Sequence, residues 1–292
     1  MHSPVMPSNV GAPVPVRQAT RLINHFQLYA GSAAMRAAGR HFDSGALLVL
    51  LLRNALRPTP GGRCSISSLA ASLRRPRESI RRASITLAAH GLCQADEDGL
   101  RLPDGFAGLP AMVAMRDDVL ALLRQMLDGF VHGGLTFPRA GVVPGDDAML
   151  AAALDVYLSV YELSEAPLVT PMGLYLVGAI SVLNAAAITH DPELGHRYGF
   201  AHTIPPDEIR RPASLQAVAE IDGFPYPTIW RHATAARLAG ALRRVPDGYL
   251  LGIRYMDDPR TNAASVIKVQ HVRRILSDLM AGHYRSAETG KA

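Results

Sequence analysis

One stretch of this chain occurs twice, 149 positions apart and without a gap, so any fold that serves one copy must also serve the other. Residues 65–102 (SISSLAASLRRPRESIRRASITLAAHGLCQADEDGLRL) slide onto 214–251 (SLQAVAEIDGFPYPTIWRHATAARLAGALRRVPDGYLL). Ser65/Ser214, Ala70/Ala219, Pro76/Pro225, Ile80/Ile229, Arg82/Arg231, Gly91/Gly240, Asp98/Asp247, Gly99/Gly248 and Leu102/Leu251 are identical. These identities fall on positions with local structural meaning. Ser65 precedes an apolar face of Ile66, Leu69, Ala70 and Leu73 and is placed as an N-cap. Arg74-Arg75-Pro76 ends that short helix, because the residue before a proline leaves the α region, and Pro76 suits the first turn of a new helix. In the second helix Ile80, Ala83/Ser84 and Leu87 form the buried stripe, Arg77, Arg81 and Arg82 face solvent, and Gly91 is a C′ stop. Leu92–Ala95 and Leu100–Leu102 flank the turn Asp96-Glu97-Asp98-Gly99, which reads as a hairpin.

A short helix, a turn, a longer basic helix and a hairpin resemble the winged helix-turn-helix superfamily of bacterial transcription regulators. Ala70, Leu73, Ser79-Ile80 and Arg82 stand where that superfamily carries Ala, Leu, Thr/Ser-Val/Ile and Arg. Arg74 departs from its turn glycine, whereas the second copy has Gly223 there and Thr228-Ile229 at the start of its second helix. The resemblance implies a mainly α fold with small β-hairpin wings, arranged as two tandem winged helix-turn-helix domains with flanking helices. It also implies double-stranded DNA as partner, with recognition helices at about 76–90 and 225–239 entering the major groove.

Taken in order, the Pro-rich residues 1–20 read as a disordered tail with no secretory signal. Residues 21–130 read as the first winged-helix domain, with a leading helix at 21–38, a core helix GALLVLLLRNALR capped by Ser44, and a trailing helix from Asp117 to Phe130. A Gly/Pro linker at 131–145 separates this from a second winged-helix domain at 146–282, followed by a tail at 283–292. The second domain is expected to hold helices from Asp146 to about Leu163, about Thr170 to Thr189, and Ser265 to Met280. Leading and trailing helices around a winged helix resemble the MarR type of regulator in layout, which implies a possible homodimer through the outer helices. The uncharged run Ala166–Thr189 is long enough for a membrane span, but it contains Pro171, Ser181 and Asn184, and its Leu183-Asn184-Ala185 echoes Arg53-Asn54-Ala55. It reads as a core helix, and no membrane partner is expected.

The chain of 292 residues carries a net charge of +5 with a pI near 9.5, which suits a polyanionic partner. Lys268 and Lys291 are its lysines, so the positive charge is almost all arginine. Between Arg63 and Arg82 stand six arginines and one acid, Glu78; between Asp207 and Arg244 stand six arginines and four acids. The first copy is therefore expected to bind phosphate more strongly. Arg77, Arg81 and Arg82 are candidates for base edges, because an arginine fork contacts guanine O6 and N7 together; Arg74, Arg75 and Ser79 are candidates for phosphate or turn contacts. In the second copy Tyr226, Thr228, Trp230, Arg231 and His232 occupy corresponding positions, and Arg243 and Arg244 fall on the first wing strand.

No Gly-rich phosphate loop, HExxH or paired CxxC is present, so neither catalysis nor a cofactor is expected. Cys64 and Cys93 read as structural thiols. The loop from His190 to His202 has histidine spacings that match no standard metal site, and it is expected to pack on the wing or the other domain. The expected function is transcription regulation in the cytoplasm, on the nucleoid. Two other readings fit the layout: a plasmid-type replication initiator with paired winged helices, and a winged-helix protein scaffold that does not bind DNA.

Overall fold

In a computed structural model, residues 15–56, 63–97, 99–134, 137, 143–163, 170–189 and 191–284 are described. The first 14 residues of the N-terminal tail, residues 135, 136 and 138–142 of the 131–145 linker, Asp98 of the first hairpin turn, His190, and residues 285–292 of the C-terminal tail lie outside them. The first half runs α1 (Val16–Ala37), α2 (Phe42–Leu56), α3 (Ile66–Ser72), α4 (Arg77–Ala89), a hairpin of β1 (Gln94–Asp96) and β2 (Gly99–Arg101), then α5 (Pro110–His132). The second runs α6 (Asp146–Leu163), α7 (Pro171–Thr189), α8 (Pro192–Arg197), α9 (Leu215–Asp222), α10 (Tyr226–Leu238), a hairpin of β3 (Leu242–Val245) and β4 (Gly248–Leu251), α11 (Ile253–Asp257) and α12 (Pro259–Met280). The fold is mainly helical with two small antiparallel two-stranded sheets.

The repeat governs local structure residue by residue. The limits of α4 fall on those of α10 at the 149-residue shift, and Pro110, which opens α5, falls on Pro259, which opens α12. Ser65 Oγ accepts the N–H of Ser68 at 3.1 Å, and Ser214 Oγ that of Ala217 at 3.0 Å, each satisfying an orphan donor of a helix start. The turn between the two helices passes through a left-handed residue in both copies, Arg74 at φ 49° and Gly223 at φ 70°. Glycine takes that conformation without a Cβ penalty, whereas Arg74 bears it. At the two hairpins, Cys64 bridges to Leu100 and Ala213 to Tyr249, so the strand lead-ins match as well.

Several boundaries differ from the sequence expectation. α1 opens at Val16, so residues 16–20, expected in the tail, are helical. Ser44 does not cap α2 but lies buried inside it, two residues past its start at Phe42. α5 begins at Pro110 and α12 at Pro259, earlier than Asp117 and Ser265, because a proline at the first helical position needs no N–H partner. The 190–202 loop contains α8, whose N-cap Asp191 accepts the N–H groups of Glu193 and Leu194 at 2.9 Å. Arg17 and Arg21 of α1 bind this loop through the carbonyls of Ala201, Tyr198 and Gly195. Beyond it, Arg210 reaches the Leu251 carbonyl of the second hairpin.

Packing crosses between the halves. α1 lies along α5 but also along α7 and α12 of the second half, while α6 packs on α2, α5 and α12. One apolar cluster therefore mixes Phe26, Leu47, Leu87 and Leu123 with Leu154, Val156 and Leu276. A second, around Leu176, Val218, Ile229 and Leu251, takes in Leu28 of α1. Each fully buried side chain of this size contributes about 1.5–3 kcal/mol. Among the described residues α7 is the one helix long and apolar enough to cross a membrane. Here its apolar residues pack against α1, α10 and β4.

Candidate nucleic-acid interface

The face left open by α4 is set by what the helix buries. Ile80, Ala83, Ser84 and Leu87 turn inward, which leaves Arg77, Arg81 and Arg82 exposed on the opposite side. α10 buries Ile229, Ala233 and Ala236 and exposes Tyr226, Trp230 and Arg231. These two exposed sets occupy the same three positions of the repeat. The first is a cationic face; the second replaces two of its arginines by aromatic rings, with Tyr226 46% and Trp230 52% exposed.

Glu78, in the sequence only the lone acid among six arginines, belongs to this face as well. Its carboxylate accepts from Arg81 Nε at 2.7 Å and Nη2 at 2.8 Å, and from Arg82 Nε at 3.0 Å. Those hydrogen bonds hold its pKa down to about 2, so it stays ionised beside the two cations. The signal was present in the sequence as an acid three and four residues before two arginines, the spacing of neighbours on a helix surface. Glu78 thus fixes the orientation of both side chains while neutralising part of their charge.

The remaining candidates divide. Arg74 is exposed at the turn. Arg75 is committed to the scaffold, gripping Asp43 near the start of α2 with Nε–Oδ1 at 2.7 Å and Nη2–Oδ2 at 2.9 Å. Ser79 and Thr228 are half-buried near their helix starts. His232 corresponds to buried Ala83, and its Nδ1 lies 3.3 Å from Thr170 Oγ1 ahead of α7; burial lowers its pKa. It faces the scaffold rather than the open face. In the second hairpin Arg243 pairs with Asp207, which also holds Arg210, and these hydrogen bonds keep the Asp207 carboxyl below its ordinary value. Arg244 beside it is exposed. Arg63, a cation at the first hairpin that the sequence reading did not assign, pairs at 3.0 Å with Asp96, which lies beside the turn of that hairpin.

Chemically, the first face offers guanidinium forks held at fixed spacing, and the second offers flat apolar rings next to one guanidinium. His196 and His202 of the 190–202 loop pack on the ring of Phe200. Burial pushes the Cys93 thiol up to about 11, out of the range of a reactive thiolate. No protein-family model, curated protein or solved structure matches this chain.

Proposed function

We propose that this protein is a DNA-binding transcription regulator that carries two unequal winged helix-turn-helix readers in one chain. The observation that supports this most directly is the pair of exposed faces at equivalent positions, Arg77, Arg81 and Arg82 on α4 and Tyr226, Trp230 and Arg231 on α10. In this reading α4 enters the major groove and its guanidinium groups meet guanine O6 and N7 or flanking phosphates. α10 enters a second groove segment, where Tyr226 and Trp230 press on apolar base edges such as the thymine methyl and Arg231 supplies the polar contact. Arg244 and Arg63 lie on or beside the wings, suited to phosphates.

The outer helices α1, α5, α6 and α12 pack on one another within a single chain. One chain thereby presents two readers without a second copy, and the expected target is an asymmetric site with two dissimilar halves about one helical turn apart. The test is footprinting and affinity against salt for the full chain, with Arg77, Arg81 and Arg82 replaced by alanine in one variant and Tyr226, Trp230 and Arg231 in another. The expected result is loss of one half of the footprint in each, and a smaller change of salt slope in the second variant, which removes fewer cations. A slope near zero for the unmodified chain sinks the DNA reading.

A further inference from the structure

Between the two halves lies a cavity of about 270 Å3, walled by α1, α6, α7 and α12 and closed at one side by Leu73 and Arg74 in the turn after α3. This is close to the lower end of small-molecule sites, about 300–1,000 Å3. Its lining is mostly apolar: Leu28, Met35, Phe42 and Leu174, with the rings of Tyr157 and Tyr161. Gly178 on α7 opens into it, since a Cβ there would meet no atom within 4 Å. Two cations, Lys268 and Arg74, stand in the wall, and among the described residues no Asp or Glu lines it.

Lys268 is the unusual group. In a chain that uses arginine nearly everywhere, one of its two lysines stands half-buried in the cavity wall. Its ammonium donates to Asn24 Oδ1 at 3.0 Å and Gln27 Oε1 at 3.4 Å, both neutral oxygens. Burial pushes its pKa down to about 8, so it remains mostly protonated at neutral pH. Lys268 is half-buried, and a partly desolvated cation whose hydrogen-bond partners among the described residues are neutral gains from an anion beside it.

We propose that this cavity is an effector site for a small organic monoanion, whose carboxylate pairs with Lys268 and whose aryl or branched alkyl body fills the space beside Gly178. The proposal rests on the DNA-binding reading only for what the ligand controls. Leu73 and Arg74 form the turn that precedes the first recognition helix. On the other side Tyr175, also in the lining, packs edge-on against Phe224 at 5.4 Å and donates to Asp222, both at the turn before the second. One occupant therefore touches the supports of both turns, and filling the cavity shifts how α4 and α10 are held.

The test is calorimetric titration of the full chain, without DNA, using phenylacetate and 4-methylpentanoate as probes and phenylacetamide as neutral control. The expected result is saturable binding of at least one carboxylate at one site per chain, at least tenfold tighter than the amide. K268M should lose that preference, and G178L should fill the space and block binding. Should either variant fail to fold, the unmodified chain labelled with 15N at lysine carries the test: phenylacetate should shift the Lys268 Nζ signal and leave Lys291 as an internal control. No saturable binding of either carboxylate, equal binding of the amide, or an unmoved Lys268 signal overturns the site. A second measurement, DNA affinity with and without phenylacetate, is expected to change at least fivefold, which is within the usual range of allosteric coupling. A chain that binds the anion but no DNA keeps the site and loses the regulatory reading; one that binds both without mutual effect overturns the coupling.

Discussion

Glu78 decides how the arginines of the first open face behave. It holds Arg81 and Arg82 in place and cancels part of their charge, so Glu78→Gln should free both guanidinium groups and remove a repulsion with phosphate. The expected outcome is roughly two- to fivefold tighter binding to any DNA, with lower discrimination between sequences, read from competition assays at several salt concentrations; weaker binding would mean that orientation outweighs charge. Arg82→Ala should cost about 1–3 kcal/mol of affinity concentrated at one base position, whereas a uniform loss at all positions would make Arg82 a phosphate contact. At the same scale, Asp222 occupies the place that Leu73 fills in the first copy, and it is buried with Tyr175 Oη donating to its carboxylate. Burial raises its pKa from 3.8 to about 6. The native state therefore binds a proton that the unfolded chain releases between those values, and the stabilisation present at pH 4 is lost as pH rises through 6. Asp222→Asn should remove this dependence and be more stable than the unmodified protein at pH 7.5 by about 2–3 kcal/mol, with little difference near pH 4. Urea unfolding of both proteins at the two pH values checks this, and parallel curves for the pair would reject it.

The short-range chemistry of each element is what the sequence makes legible. Ser65, Pro76, Gly91 and their partners 149 residues on act through the backbone within a few residues, so the limits of α3, α4, α9 and α10 follow from reading them. Pro110 and Pro259, also 149 residues apart, open α5 and α12 by the same local rule, although the apolar spacing of those helices is evident only from about Asp117 and Ser265. The wings supply the sharpest test of this local equivalence. Gly99 and Gly248 sit at φ 136° and 144°, and a Cβ on them would meet the carbonyl oxygens of Cys64 at 2.6 Å and Ala213 at 2.5 Å. Both neighbours are backbone and cannot yield cheaply, so Gly99→Ala and Gly248→Ala should each cost about 1–3 kcal/mol, towards the upper end. Thermal unfolding of the two variants checks this, and a neutral effect in either would show that its wing lacks the tight bridge to the strand lead-in. Long-range partnerships were not legible. Arg75 reads as a surface cation until Asp43, 32 residues earlier, is brought beside it, and Lys268 reads as an ordinary polar helix residue until α1 closes over it. Such pairings depend on how helices cross, which no spacing along one helix encodes.

Across the whole molecule, the two copies of the repeat are joined by packing between the halves. Periodicity alone favours two domains in series, each with its own core, because each half has enough apolar helices to make one. In the folded chain the halves instead exchange contacts: α1 reaches α7 and α12, and α6 lies against α2 and α5, with ion pairs from Arg53 to Asp155 at 2.9 Å and from Arg124 to Asp146 at 2.6 Å across the boundary. An isolated first half would expose the face of α2 that α6 covers and lose the partners of Leu28 and Phe26. Domains that fold alone keep few contacts across their boundary, and this boundary is crossed by a shared core. The expectation is that residues 1–134 and 143–292, produced separately, lack cooperative thermal unfolding. Mixed in equal amounts, they should recover it together with the native amide spectrum, in a concentration-dependent way. If residues 1–134 alone unfold cooperatively with native chemical shifts in α2 and α4, the halves are independent domains, and the relative placement of the two open faces is then set by the linker rather than by the core.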